Sequence, residues 1–363
     1  MANKLFIPGP TEVRKEVLEA LATPQIGHRT EAFKKLFGGL KPGLQAIFFT
    51  NNDVLISTSS GSGFWEVSVR CCVNKRMLVA TNGAFSKKYA DVGEACAREV
   101  ERIKYDYGKA VKPEDVDKAL ARGGFEAFGM AHNETSTGVT SNMEEIAAVM
   151  KKYPDVLWFV DAVSSMGGIK LEVDKLGIDL CFTSSQKAFA MPPGLSMASV
   201  STRCYEKAKE VPGKGYYFNI LDLKKEYDTD QTPYTPSIPH LYALQKQLGR
   251  IMEEGIENRF RRHAEMAEYT RGWAAKHELL LFSEEGYHSN TVTCLLNTRN
   301  LDMKKIKKEM SAQGYSIDTG YGKLNEKLEA EGKPTTFRIA HMGDLTLDEI
   351  KELTAALDPY MGG

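Results

Sequence analysis

The sequence has no long hydrophobic run. No uncharged apolar stretch among its 363 residues approaches the ~20 residues of a membrane span. The start, MANKLFIPGPTEV, has no apolar core of signal-peptide length. There is no excess of charge of either sign: 47 Lys+Arg against 48 Asp+Glu leave a formal net charge of -1. That balance speaks against a nucleic-acid surface or a polybasic membrane patch. Six cysteines stand at 71, 72, 96, 181, 204 and 294, with no CxxC and no Cys/His cluster. The pattern excludes the usual structural zinc sites, so no metal is expected. The thiols read instead as small core residues of a protein in the reducing cytoplasm. Internal repeats and low-complexity segments are absent. What remains is ordinary globular composition, 42% apolar and 26% charged.

What is present is alternation. Seven short apolar runs lie at 53–58, 76–81, 99–105, 125–132, 156–161, 180–184 and 195–201. Several are nearly continuous in apolar or small residues, as in strands covered on both faces. Helical patterns lie between them. PEDVDKALARG has Pro113 near its start and Gly123 past its end. SNMEEIAAVMKKY opens with a capping-box pattern, Ser141-x-x-Glu144, and puts Ile146, Val149 and Met150 on one face. The alternation predicts an α/β fold: a mostly parallel seven-stranded sheet covered by helices. After residue 238 come one or two long helices, then a strand-helix-strand-helix set typical of a small α+β domain. The expected division is a large domain over 15–250 and a small one over 251–363, with residues 1–14 packing near the active site or on the small domain.

In open α/β sheets, ligands sit beyond the carboxyl ends of the strands. There the chain places SSGSGFWEVSV after the first run, Ser59 to Val69. Serines and glycines between a strand and an amphipathic helix form a phosphate cradle, or a tight turn that binds nothing. The dinucleotide fingerprint G-x-G-x-x-G is not matched, because Trp65 and Glu66 follow Gly63. Asp161 ends the run VLWFVD, where a carboxylate needs a cation or a donor, or caps the next segment. Phe85 follows another run, as a core aromatic or a lid over a planar ring, and NETSTGV brings hydroxyls and an amide. Lys187 follows LCFTSSQ, 26 residues after Asp161. Alone it reads as a solvent-reaching loop lysine. Taken together, cradle, aromatic, aspartate and enclosed lysine match what pyridoxal phosphate needs.

The chain resembles the class V, fold-type I aminotransferases that use pyridoxal phosphate, and within them the alanine/serine–glyoxylate group. PGPTEV, GHRTEAF, SGSGFWE, NGAF, ETSTGV, VDAVSSMGG, SSQKAFAMPPGLS, TPYTPSIPHLYAL and FRIAHMG carry the resemblance over nearly the whole length. It implies Lys187 as the lysine that condenses with the cofactor aldehyde and Asp161 as partner of the pyridine nitrogen. It implies Ser62, Gly63 and Phe64 as the phosphate-binding turn, with Gln186 also on the phosphate. Phe85 matches the residue stacked on the ring, Val163 packs the other face, and Thr135 offers a hydroxyl nearby. Thr235 matches a residue reaching the phosphate of a neighbouring subunit, which implies a homodimer with active sites at the subunit interface. Arg338 matches the arginine for the substrate α-carboxylate, with the backbone of Gly9 close by. One position departs: many glyoxylate enzymes have histidine directly after SGSG, and here it is Phe64.

The implied reaction is a transamination from alanine or serine to a 2-oxo acid, glyoxylate or pyruvate, with ping-pong kinetics. The nearest rival is phosphoserine with 2-oxoglutarate, because His28-Arg29 offers a cationic pair for a phosphate; the pair also suits a helix cap or a subunit contact. A cysteine desulfurase or related lyase would need an exposed cysteine on a mobile loop, and Cys294 in TVTCLLN reads as a buried strand residue. A non-enzymatic, ligand-binding relative would not need Lys187, Asp161 and Arg338 together.

Overall fold

A computed structural model describes residues 3–361. Its centre is a seven-stranded sheet made of β1 (Asp53–Ser57), β2 (Arg76–Thr81), β3 (Glu99–Lys104), β4 (Ala127–Ala131), β5 (Leu157–Asp161), β6 (Leu180–Ser184) and β7 (Ser196–Val200). The spatial order is β1-β7-β6-β5-β4-β2-β3. Only β7 runs antiparallel to its neighbours, so the sheet is mostly parallel. The inner strands β4, β5, β6 and β7 are buried at every residue, which is why their sequences read as unbroken apolar or small runs. β3, EVERIK, lies at an edge, and its charged residues stand half-buried or exposed, a composition that discourages pairing with another chain.

The pairing register fixes the site. Ala131 pairs with Asp161, Asp161 with Phe182, and Ser184 and Ser57 both face Ser196 across β7. The carboxyl ends of β1, β4, β5 and β6 therefore reach one edge, and that of β2 follows through its parallel pairing with β4. Ser62, Phe85, Thr135, Asp161 and Lys187 all stand at or just beyond these strand ends.

The helix after VTSN starts differently from the capping-box pattern. It spans Met143–Met150, and its N-cap is Asn142, whose side chain accepts from the backbone N–H groups of Glu144 and Glu145. Ser141 is buried, and its hydroxyl accepts from the Val111 N–H instead (3.1 Å). A serine drawn into another loop's hydrogen bonding cannot cap, and the next residue takes over. The long C-terminal helical region is two helices, Ile238–Glu254 and Ile256–Lys276, separated by Gly255.

Two main apolar cores result. One gathers side chains from Val17 to Ile251 around the large sheet. The other gathers Phe6 with residues from Met266 to Met361 around β8 (Val292–Leu296) and β9 (Thr336–Ala340). The chain start joins this second core: Lys4–Leu5 pairs with Tyr315–Ser316. No helix among the described residues is long and apolar enough to cross a membrane.

Candidate active site

Asp161 is the last residue of β5 and is buried. Its two carboxylate oxygens accept one hydrogen bond each, from Trp65 Nε1 (2.8 Å) and from the Val163 N–H (2.9 Å). Among the described residues it has no ion pair. Burial is the main cause that pushes its carboxyl up to about 6; the two donors and the Lys187 charge pull the other way.

Lys187 stands half-buried in the loop after β6. Its ammonium donates to the Pro8 carbonyl. The chain start is laid directly on this side chain: a Cβ on Gly9 would come within 2.6 Å of Lys187 Nζ, and Gly9 has φ +137°, which side chains rarely adopt. Thr11 ties the two loops together, its N–H bonding the Gln186 carbonyl (3.1 Å) and its hydroxyl the Lys187 carbonyl (2.9 Å). Burial, then the positive charge of Arg338, lowers the Lys187 amine to about 8, against the partial opposition of Asp161 and Asp318. The neutral fraction of an amine grows as pH rises through its pKa. Labelling of the cofactor-free protein with trinitrobenzene sulfonate should therefore level off for Lys187 just above pH 8, while ordinary lysines, with pKa near 10.4, keep accelerating to about pH 10. Peptide-resolved rates check this.

The turn after β1 carries the helix Gly61–Cys72, with Ser62 exposed at its first turn and Gly63 and Phe64 buried. The Phe64 side chain is in the core, so only its backbone can serve the turn. Side chains on the two glycines would fill the cradle: a Cβ at Gly61 would lie 2.6 Å from Val163 Cγ2, and one at Gly63 2.5 Å from Ser59 Oγ. Phe85, half-buried, stacks at a tilt against Tyr321, with centroids 6.0 Å apart. Its helix, Ala84–Ala95, is held at the start by Glu134. That buried carboxylate accepts from the N–H groups of Phe85 and Ser86 and from the hydroxyls of Ser86 and Ser136. Thr135 is next to it, with its hydroxyl 2.5 Å from that of Ser164. Its carbonyl accepts from Arg338 Nη1 (3.0 Å), so β9 delivers Arg338 to the same edge.

The family model for class-V aminotransferases matches residues 73–353. The chain belongs to this family. This aminotransferase is 38% identical over 344 residues to an uncharacterised aminotransferase of Methanocaldococcus jannaschii, covering 93% of this chain and 87% of that protein. It is 32% identical over 356 residues to a serine–glyoxylate aminotransferase of Methylorubrum extorquens, covering 94% and 87%. Among solved structures, a subgroup IV aspartate aminotransferase from Thermus thermophilus superimposes with a TM-score of 0.89 at 27% identity, over 98% of each chain.

Pyridoxal phosphate is the cofactor of this class, and the aminotransferase has a site that fits it. Two polar atoms at this edge, Ser184 Oγ and Gln186 Oε1, are buried without a hydrogen-bond partner. Asp161 is a buried carboxylate with no ion-pair partner, and the glycine cradle would be filled by side chains. A phosphate would answer the cradle, a protonated ring nitrogen the unpaired Asp161 carboxylate, and an aldehyde the Lys187 amine at the same edge.

Three sequence-predicted residues, Thr235, His28 and Arg29, stand away from this edge, and a fourth, Val163, borders it. Thr235 is exposed. His28 is half-buried in the turn before the helix Glu31–Phe48. Arg29 is spent on the loop that precedes Thr235, donating to Gln231 Oε1 (2.9 Å), the Thr232 carbonyl (2.6 Å) and the Pro233 carbonyl (3.1 Å). Val163 is half-buried at the cradle, its Cγ2 facing Gly61. Among the described residues Thr235, His28 and Arg29 make no hydrogen bond to Lys187, Asp161 or Arg338, whereas Val163 meets Asp161 through its backbone N–H.

The structure adds residues that sequence reasoning missed: Trp65, Glu134 and Asp318. Trp65 sits one turn into the cradle helix, and its spacing from Ser62 was a usable signal. Glu134 lay in plain view within NETSTG. Asp318 had none, because its role depends on folding 20 residues of the small domain back against Arg338.

Proposed function

We propose that this aminotransferase moves an amino group from a small L-amino acid, alanine or serine, to a 2-oxo acid, glyoxylate or pyruvate, by a ping-pong mechanism. The observation that carries the reading is geometric: Lys187, the unpaired Asp161 carboxylate and Arg338, whose Nη1 donates to the Thr135 carbonyl, stand at one sheet edge. When bound, pyridoxal phosphate supplies an electron-accepting ring that stabilises negative charge on the donor Cα. Lys187, as the neutral amine, would take the proton from Cα and deliver it to C4′ of the cofactor, acting first as base and then as acid. Asp161 keeps a negative charge against the ring nitrogen. The helix start at Ser62, Gly63 and Phe64, with Gln186, takes the phosphate. Phe85 and Val163 would pack against the ring, Thr135 would offer its hydroxyl, and Arg338 would orient the donor through its α-carboxylate with the Gly9 backbone close by.

Two observations weigh against the rivals. Arg29 already donates to three acceptors of its own chain, which leaves it poorly placed to hold a donor's phosphate. Cys294 is buried in β8, and burial pushes its thiol up to about 12, so it supplies no thiolate for desulfuration.

The active unit in this reading is a homodimer, with the Thr235 loop reaching the phosphate of the second copy. Supporting it are exposed aromatics beside that loop: Tyr216 is 79% exposed, and Tyr217 stacks on Tyr234 with centroids 4.8 Å apart. A sedimenting species of one 40.3 kDa chain would remove this part. We read residues 15–250 as the cofactor-binding domain and 251–363 as the small domain, in line with the two cores, and the free thiols as suited to the cytoplasm.

The test is a half-reaction screen of the loaded protein with alanine, serine, phosphoserine, aspartate and aminoethylphosphonate, followed by visible absorbance. Arg338→Ala should weaken alanine, serine and phosphoserine together by roughly one to two orders of magnitude, since a charged hydrogen bond is worth about 1.5–3 kcal/mol. Arg29→Ala should leave the serine-to-phosphoserine ratio of kcat/KM within about threefold. A parent that strongly prefers phosphoserine, and loses that preference in Arg29→Ala, would replace this reading with the phosphoserine one.

A further inference from the structure

Arg338 is almost wholly buried, and its charge is met by one carboxylate. Asp318 accepts from Arg338 Nε (2.8 Å) through Oδ1 and from Nη2 (3.0 Å) through Oδ2, a bidentate pair along one edge of the guanidinium. The Thr135 carbonyl takes one N–H of Nη1. A guanidinium has five N–H groups. Among the described residues three are engaged, and the two left over are one on Nη1 and one on Nη2.

Asp318 is itself fixed. Its Oδ1 also accepts from the Gly320 N–H (2.8 Å), and its backbone bridges that of Arg338. Gly320 has φ +93°, and a Cβ there would lie 2.1 Å from the Thr336 carbonyl, so the turn has little room to rearrange. The side chain of Asp318 is 19% exposed and that of Arg338 8%, so the pair is screened from solvent. A carboxylate this constrained does not behave as a stand-in that leaves when substrate arrives. It behaves as a bracket.

We propose that Asp318 is a positioning residue: by holding the Nε/Nη2 edge of Arg338 it directs the two free N–H groups of Nη1 and Nη2 at the α-carboxylate of the amino donor. The inference rests on the reading of Arg338 as the donor-carboxylate anchor. Its consequence is discrimination for donors that carry an α-carboxylate over plain amines. A long basic side chain without its bracket loses a fixed orientation, and with it the bidentate geometry.

The test compares serine with ethanolamine, which is serine without its carboxylate, in single-turnover half-reactions of the cofactor-loaded protein. Asp318→Ala should lower the serine-over-ethanolamine ratio of kcat/KM at least about tenfold, chiefly through serine KM, with ethanolamine little changed. Asp318→Asn, which keeps the side chain's size and one acceptor, should fall in between. Arg338→Ala should collapse the ratio, and adding Asp318→Ala to it should change the ratio by less than about twofold. A merely structural role would slow both amines alike, and that result overturns the proposal. So does a ratio that collapses in Arg338→Ala but stays within about twofold of parent in both Asp318 variants. A ratio unmoved by Arg338→Ala would instead sink the anchor reading, and this inference with it. Calorimetric titration with L-lactate, a carboxylate without an amine, covers variants that turn over too slowly: Kd should weaken at least about tenfold in Asp318→Ala, and an unchanged Kd contradicts the proposal.

Discussion

Lys187→Ala protein should fold normally and turn over roughly 10⁴-fold more slowly than the parent, or not at all. General acid–base catalysis by a placed group is worth about 10²–10⁴, and Lys187 is also the group that fixes the cofactor. The fold should survive because the side chain contributes little to it. Its ammonium makes one hydrogen bond, to the Pro8 carbonyl. Moreover, its pKa is lowered from 10.5 to about 8 in the folded state. A base with a depressed folded pKa costs stability while the unfolded chain binds its proton more tightly. That cost is full below about pH 8 and fades as pH rises toward 10.5. It amounts to about 3 kcal/mol at most, less with solvent screening, at 1.36 kcal/mol per unit. Cofactor-free Lys187→Ala should therefore melt no lower than the parent at pH 7. Stopped-flow turnover and a thermal melt check the two halves.

Asp161→Asn should lower kcat by roughly two to three orders of magnitude, the range seen when one electrostatic stabiliser is removed. The parent holds a full negative charge against the ring nitrogen, and a neutral amide does not. The geometry also changes. Both oxygens of Asp161 receive donors, from Trp65 and Val163, whereas an asparagine has one oxygen and one NH₂ group, so one donor loses its acceptor. The folded-state carboxyl is raised from 3.8 to about 6 by burial first of all. An acid raised in this way gives its stability below the unfolded pKa and loses it as pH rises through the folded one. The cofactor-free protein should thus lose up to about 3 kcal/mol between pH 4 and pH 6 through this group, and bound cofactor should restore it. Near-parental turnover in Asp161→Asn would make the aspartate only a cap.

Much of this was legible in the sequence for physical reasons. A strand buried on both faces must be apolar throughout, so β4, β5, β6 and β7 announced themselves, and so did the loops at their ends. Lys187 and Asp161 stood out because a charged group beside such a strand needs a purpose. What the sequence hid was long-range pairing. Ser141 and Asn142 both suit an N-cap, and the choice turned on the Val111 N–H from 30 residues away. Glu134 reads as one polar residue among several until the fold sets five donors from two segments around it. Arg29 reads as a free cation until the 231–233 loop folds over it. Asp318 gains meaning only from the β9 side chain it faces.

In the proposed reaction Lys187 is the amine that holds the cofactor and moves the proton. Borohydride reduction of the cofactor-loaded protein, followed by peptide mapping, tests it most directly. The peptide carrying Lys187 should bear a pyridoxyl mass tag that is absent from Lys187→Ala protein. A tag on any other lysine, or an undiminished tag in the variant, would contradict it.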